Sequence, residues 1–441
     1  MQITPGAGAM YCGNCLRDNT LVQALRRLGH EVLMVPLYLP LTLDEPDQSS
    51  DTPIFFSGIN VYMEQKLALF RRAPEWLHRA LAARPLLKWA AGRAAKTRAA
   101  DLGELTLSML RGADGNQARE LDELILWLKT RPRPDVIFLS NVLLLGLARK
   151  LRNELGSPIV CMLQGEDYFL DGLSEPYREN CWRLLGQLSA DVEQFVALSR
   201  YFAERMRERM GLLSERVQVV YNGIALDGYE AATPENPLAE ANANGSTLGY
   251  FARMCREKGL DILVEAFIEL RKRGRVPGLK LRVGGYCGPT DESFVAGLRQ
   301  RLESCGLLEQ SEFCPNLDRP AKQAFLRSLS VFSVPAVYGE AFGLYVLEAL
   351  AAGVPVVLPE SGAFPELIEA TGGGVLCAAR NVKALADGIE KLLLEPQQAR
   401  HLGQTGQRAV LERFSAEAMA RNILRVAEMV QEHKSGVAAL G

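Results

Sequence analysis

The 441-residue chain has 48% hydrophobic and 23% charged residues and a formal net charge of -2, the balance of an ordinary globular protein and not of a disordered or nucleic-acid-coating chain. Its length exceeds one ordinary hydrophobic core, so two domains are expected. Nine scattered cysteines, an odd number, suit a reducing cytoplasm better than a disulfide framework.

In chain order, Thr4-Pro5-Gly6-Ala7-Gly8-Ala9 leads into a helical stripe of Leu21, Val22, Leu25 and Leu28 ended by Gly29, and Val32 to Val35 reads as a buried strand. These are the loop, helix and strand of a parallel βαβ unit. A glycine-rich turn there leaves room for a ligand at the strand's carboxyl end, which makes Gly6 and Gly8 candidate binding residues; a plain tight turn is the alternative. Only Met1, Gln2 and Ile3 stand where the first strand belongs, so the natural start is expected upstream of Met1. The N-terminus lacks a charged segment followed by an apolar one, and no run of about 18 apolar residues occurs, so neither a cleaved signal nor a membrane span is predicted. Cys12-Gly13-Asn14-Cys15 stands at the helix entry, where thiols can be redox active. Zinc would need two further ligands, which the histidines at 30, 78, 401 and 433 do not offer; structural thiols are the simpler reading.

Residues 64–130 read as helices inserted into the first domain. Lys66, Arg71, Arg72, Arg79, Arg84, Lys88, Arg93, Lys96 and Arg98 face a single acid, Glu75, and are interleaved with Trp76, Leu77, Leu81, Leu86, Leu87 and Trp89. Such a segment either covers the domain with a solvated cationic face or makes a peripheral contact with an anionic membrane at its cytoplasmic side. Asp135 to Ser140, Pro158 to Leu163, Gln194 to Leu198 and Val217 to Tyr221 are short apolar runs at βα spacing, and Gln164-Gly165-Glu166-Asp167 follows the second of them.

Ala231 to Ser246 lacks apolar periodicity, as a hinge or linker would. Thr247 to Ala252 then restarts a strand, and Arg253-Met254-Cys255-Arg256-Glu257-Lys258-Gly259 leads to a helix with Leu260, Leu263, Val264 and Phe267 on one face. Arg253 and Lys258 can converge on one crevice, or be plain surface cations. Leu281 to Gly285 and Val331 to Pro335 are further strands. The second feeds Glu340-Ala341-Phe342-Gly343-Leu344, after which Leu347, Leu350 and Ala351 continue a helical stripe closed by Gly353. Amide groups at such a helix start favour a diphosphate. Glu340 and Glu348 flank that start and suit the hydroxyls of a sugar and a ribose, so the stretch can grip a nucleotide sugar; two solvated glutamates are the bland alternative. Val354 to Leu358 reads as the next strand, Ala384 to Leu394 and Ala418 to Val430 as amphipathic helices, and the chain beyond about Lys434 as disordered.

The Glu340 to Glu348 segment resembles the Glu-x7-Glu element of the retaining family-4 glycosyltransferases. Asn222-Gly223-Ile224, Arg253 with Lys258-Gly259, Gly362-Ala363-Phe364-Pro365-Glu366 and Gly372-Gly373-Gly374 resemble its other motifs in the same order. The resemblance implies an α/β GT-B fold of two Rossmann-like, doubly wound domains facing a central cleft: an acceptor domain over 1–225, a nucleotide-sugar domain over 226–415, and a last helix over 416–441 that crosses back. It implies catalytic roles for Arg253, Lys258 and Glu340, and donor binding by Gly8, Arg253, Lys258, Glu340, Ala341, Phe342, Gly343, Leu344 and Glu348. Gly6 and Gln164 fall on the acceptor or sugar side. Ala341 stands where the family usually has Pro, and Gln164 where many members have His, so chemistry that depends on an imidazolium is expected to be weakened and chemistry that needs only positioning to survive. With no Asp-x-Asp motif beside the donor site, neither metal nor any cofactor beyond the nucleotide sugar co-substrate is expected, and nucleic acid is not an expected partner. The implied activity is hexosyl-type transfer to a hydroxyl of a glycan, lipid or small molecule, as in the building of cell-envelope glycans. A GT-B sugar-nucleotide epimerase and a degenerate nucleotide-sugar-binding protein are the alternatives.

Overall fold

A computed structural model describes residues 1–6, 13–41, 43, 45–50, 52–57, 60, 61, 63, 65, 102–229 and 246–438. Gly8, Cys12, all but Ser246 of the expected linker at 231–246, and the basic run at 66–98 therefore lie outside the described residues. The chain divides into two compact units, Met1–Tyr221 with Met419–Gly441, and Asn222–Ala418.

The first unit holds a six-stranded parallel sheet in the order β2-β1-β3-β4-β5-β6, with β1 Gln2–Thr4, β2 Met34–Pro36, β3 Ile137–Leu139, β4 Ile159–Leu163, β5 Gln194–Ala197 and β6 Val217–Val219. Every residue of β1 to β5 is buried, as parallel strands covered by helices on both faces must be, and this explains their near-continuous apolar sequences. The second strand starts two residues later than the expected Val32. Its register is set by pairing Gln2 with Met34, and Leu33 is spent accepting the Gln2 N–H at 2.9 Å. The inserted region contributes the helices Gly103–Leu110 and Ala118–Leu128.

The second unit holds the sheet β12-β11-β10-β7-β8-β9, with β7 Thr247–Phe251, β8 Lys280–Gly285, β9 Ser311–Pro315, β10 Val331–Phe332, β11 Val356–Pro359 and β12 Gly374–Cys377. All pairings are parallel. Read from the other edge, the first three strands run outward in one direction and the next three in the other, so the order reverses between β7 and β10. That reversal opens a crevice beyond the carboxyl ends of these two strands, where doubly wound folds bind ligands. Tyr250, Phe267, Phe332 and Phe364 are fully buried around the sheet, each contributing about 1.5–3 kcal/mol by leaving water.

Helix starts follow local chemistry. The side chains of Ser199, Asp318 and Asn381 accept the N–H of Phe202, Ala321 and Ala384 at 3.0, 2.9 and 3.0 Å, each satisfying an orphan donor of a first turn. The last helix runs Ala416–Ala438, so residues 435–438 continue as helix and not as the expected disorder. Propagation adds one backbone bond for each residue fixed, which carries a long helix past its last packed turn.

Candidate functional site

Four loops of the second unit meet at the β7/β10 reversal. The loop after β7 ends in a short 3-10 turn, Arg256–Lys258, and Gly259 at φ +71°. A Cβ on Gly259 would stand 1.9 Å from the Pro335 carbonyl oxygen, so the two loops touch backbone to backbone, and Val337 donates its N–H to Glu257 at 3.0 Å. The turn after β12 adds Arg380, whose Nε and Nη2 donate to the Val337 carbonyl at 2.9 and 2.6 Å. The turn after β11 presses Gly362, at φ +61°, against the backbone of Glu340, and Ala363 donates to the Glu340 carbonyl at 2.9 Å.

These contacts deliver Lys258 and Glu340 to one another. Lys258 Nζ is ion-paired to Glu340 Oε2 and donates to the Tyr338 hydroxyl at 2.6 Å. The same Oε2 accepts from the Tyr345 hydroxyl at 2.6 Å and from Tyr338 at 3.3 Å. Lys258 lies over both rings, 5.1 and 5.3 Å from their centroids, a cation–π arrangement that holds the ammonium between two π faces. Burial by itself would raise the Glu340 carboxyl, but Lys258, Tyr345 and Tyr338 together hold it below its ordinary value. Glu340 is therefore a buried anion with several donors, and it keeps its tyrosine partners if Lys258 swings to another anion.

Arg253 leaves the same loop toward the other neighbour. Its Nε and Nη2 form a two-point pair with Asp291 at 2.9 and 3.0 Å, and its side chain remains 52% exposed. Glu348, on the helix Leu344–Ala351, pairs with Lys322 Nζ at 2.8 Å. That helix begins at Gly343, φ +96°, which carries no side chain to cap its first turn; Ala341 and Phe342 before it are buried. The expected start and the Gly353 close both stand in the structure. Tyr338, Tyr345, Asp291, Lys322 and Arg380 were not read as site residues. Tyr338 and Tyr345 carried a signal in their closeness to Glu340, whereas the others come from loops and helices that only the fold brings near.

In the first unit, Gly6 sits at φ +74° where a Cβ would be 2.0 Å from the Leu39 carbonyl oxygen. Close approach of two backbones accounts for this glycine. Gln164 directly follows β4 and is buried, and its backbone N–H donates to Glu166 Oε2 at 2.7 Å while Glu166 Oε1 accepts from Val142 N at 3.1 Å. Burial pushes the Glu166 carboxyl up to about 7, and pushes buried Asp18 upward as well. A folded-state value above the unfolded one contributes stability that is full below the ordinary carboxylate range and is lost as pH rises through the raised value. Glu166→Gln should therefore flatten the dependence of the melting temperature on pH between about 4.5 and 7. An unchanged slope would show that Glu166 is not the group taking up the proton.

Comparisons with known proteins bear on the fold and the family. Residues 238–409 match the model of the family described as glycosyl transferases group 1, and residues 108–227 match glycosyltransferase family 4. A phosphatidyl-myo-inositol mannosyltransferase of Mycobacterium leprae is 29% identical over 52% of this chain and 58% of its own length. A D-inositol 3-phosphate glycosyltransferase of Frankia alni is 27% identical over 54% of this chain and 61% of its own. The chain thus spans about six-tenths of these curated relatives. Among solved structures, a sucrose-phosphate synthase of Thermosynechococcus elongatus aligns with a TM-score of 0.70 at 18% identity, covering 97% of this chain and 98% of that one. Anabaena HepE in complex with UDP and glucose aligns at 0.66 and 17%, with the same coverage; at such identities the likeness is one of fold. Two parallel α/β units on the GT-B plan thus carry, in order along the chain, matches to the family-4 and the group 1 glycosyltransferase models.

Proposed function

We propose that the protein transfers a sugar from a nucleotide diphosphate sugar to an acceptor hydroxyl, with retention at the anomeric carbon. The observation that carries this reading is the Lys258, Glu340, Tyr338 and Tyr345 cluster at the strand-order reversal. Glu340 accepts from donor-sugar hydroxyls, since a carboxylate repels phosphate. Lys258 and Arg253, with the amides that open the helix Leu344–Ala351, stabilise the charge that develops on the departing diphosphate. Glu348 accepts from the ribose hydroxyls, Gly8 belongs with the donor-binding residues, and Gly6 and Gln164 belong to the acceptor or sugar side. Cations in these places do what a divalent ion does elsewhere, so the reaction is metal-independent in this reading. The acceptor oxygen bonds to the anomeric carbon as its bond to the diphosphate oxygen breaks. The acceptor's proton passes to that leaving phosphate, which removes the need for a protein base. Relatives that mannosylate inositol lipids or build lipopolysaccharide core support a cell-envelope acceptor, reached from the cytoplasmic face of a membrane.

A thermal-shift panel of UDP- and GDP-sugars, followed by product analysis with and without acceptors, tests the activity. A binding-only protein would be stabilised by nucleotide yet release no transferred sugar, and an epimerase would alter the donor without any acceptor. For the ribose role, Glu348→Ala should weaken binding of the free nucleoside diphosphate about ten-fold or more, the size of a lost hydrogen bond to a charged group. Calorimetry showing undiminished affinity would remove Glu348 from the site.

A further inference from the structure

The contacts made by the Glu340 carboxylate all fall on one of its oxygens. Lys258 Nζ and the hydroxyls of Tyr345 and Tyr338 meet Oε2, the hydroxyls at 2.6 and 3.3 Å, and among the described residues nothing donates to Oε1. The three partners are not equivalent. Tyr338 also accepts from Lys258 at 2.6 Å, so its hydroxyl is engaged with the cation itself. The Tyr345 hydroxyl has Glu340 as its one hydrogen-bond partner among the described residues. It enters from the first turn of the helix Leu344–Ala351, and its ring centroid lies 6.4 Å from that of Phe332 in β10, so its place is set by the helix and the sheet and not by the loop that carries Lys258. Burial and the adjoining carboxylate raise this phenol well above its ordinary value, and it keeps the proton that it donates.

Lys258 therefore has two anions to serve. Its ion pair with Glu340 must open before the ammonium can turn to a diphosphate, and opening it leaves a buried carboxylate without its cation, which is costly unless other donors remain. We propose that Tyr345 is a positioning residue that acts through Glu340: its hydroxyl holds Oε2 after Lys258 has left, eases the transfer of Lys258 to a diphosphate, and keeps Oε1 as the open oxygen. A hydrogen bond to a carboxylate is worth more when no cation shares the charge, so the hydroxyl favours the opened pair over the closed one. The role deepens the glycosyl-transfer reading, on which it rests for Lys258 as the diphosphate's cation.

Calorimetry with UDP and GDP on the full chain tests this without any transfer reaction. Tyr345→Phe removes the hydroxyl and keeps the ring, and should lower affinity for the nucleotide that the native protein binds by about five-fold, part of a lost hydrogen bond to a charged group. In Glu340→Gln, where Lys258 has no anion to leave, affinity should equal or exceed the native one, and adding Tyr345→Phe to that chain should change it by less than about two-fold. A hydroxyl that only supports the packing would cost the same in both backgrounds, and that result overturns the proposal, as does native affinity in Tyr345→Phe. Melting curves check that each variant folds. The comparison of Glu340→Gln with the native protein needs no change at residue 345, and weaker binding there also overturns the proposal, because parting from Glu340 would then carry no cost. Lys258→Met separates the two failures: native affinity in that variant removes Lys258 from the diphosphate and this proposal with it, whereas weakened binding there beside native affinity in Tyr345→Phe overturns the role of Tyr345 alone. Absence of binding by both nucleotides overturns the donor reading and the proposal together.

Discussion

Lys258→Met should lower kcat/KM for sugar transfer by about 10²–10³, the cost of removing one donor aimed at developing negative charge, and should also invert how the site's stability responds to pH. In the native protein the Glu340 carboxyl is held below its ordinary value. Its contribution to stability is thus present above the ordinary carboxylate range and is lost as pH falls through the lowered value. Without Lys258 the burial of Glu340, only 8% exposed, is no longer opposed by a cation, and the value rises above the ordinary one. The sign then reverses: stability is full at low pH and is lost as pH climbs. The variant should melt close to the native protein near pH 5 and well below it near pH 8. Breaking a buried pair costs about 3–5 kcal/mol, and the two tyrosine hydroxyls that still donate to Glu340 place the expected loss at the lower end. Adding Glu340→Gln to the same chain should recover most of the melting temperature at pH 8 and none of the activity. Native-like kcat/KM in Lys258→Met would take Lys258 out of the chemistry, and a melting deficit equal at both pH values would mean that Glu340 carries no buried charge.

How much of this could be read beforehand depends on whether the signal was local. The Gly343 start and Gly353 close of one helix were legible because left-handed backbone at both ends demands residues that only glycine supplies readily. The buried strands were legible because a parallel sheet covered on both faces needs unbroken apolar runs, as in Ile159–Leu163. Strand β9 was not read: Ser311-Glu312-Phe313-Cys314-Pro315 lies at the sheet's edge, half-exposed, and a strand with one neighbour is under little pressure to be apolar. Val331–Phe332 was read as longer than it is, because Val334 and Ala336 are buried in the loop that carries the chain toward Glu340. Arg253 and Lys258 were marked as neighbours from spacing, yet their partners, Asp291 and Glu340, lie in loops on opposite sides of β7. No local pattern holds that information, since it arises from the strand order itself. The same holds for Lys322, which reaches Glu348 from another helix, and for the Asp18, Ser140 and Gln164 cluster, whose members lie 122 and 24 residues apart.

Gly362→Ala should cost at least thirty-fold in kcat/KM although residue 362 has no side chain and touches no substrate in the proposed reaction. A Cβ built there falls 2.4 Å from the Glu340 nitrogen, 2.6 Å from its carbonyl oxygen and 2.8 Å from the Gly339 carbonyl carbon. All three are backbone atoms, so no side chain can turn aside, and the turn after β11 must move away from Glu340. That movement strains the bond from Ala363 N to the Glu340 carbonyl, 2.9 Å in the native protein, and shifts the carboxylate relative to Lys258. Misplacement by about 1 Å is enough for a loss near 10²-fold in a positioned site. The backbone term is separable, because an alanine at φ +61° costs roughly 1–2 kcal/mol wherever it occurs. Gly274 provides the matched control: it has φ +68°, closes the helix Leu260–Arg273, and has nothing within 4 Å of its would-be Cβ. Gly274→Ala should lose a similar amount of stability and keep native kcat/KM. Equal activity in the two variants would mean that Glu340 need not be held by the turn after β11, whereas a loss confined to Gly362→Ala ties the chemistry to the backbone contact that positions the carboxylate.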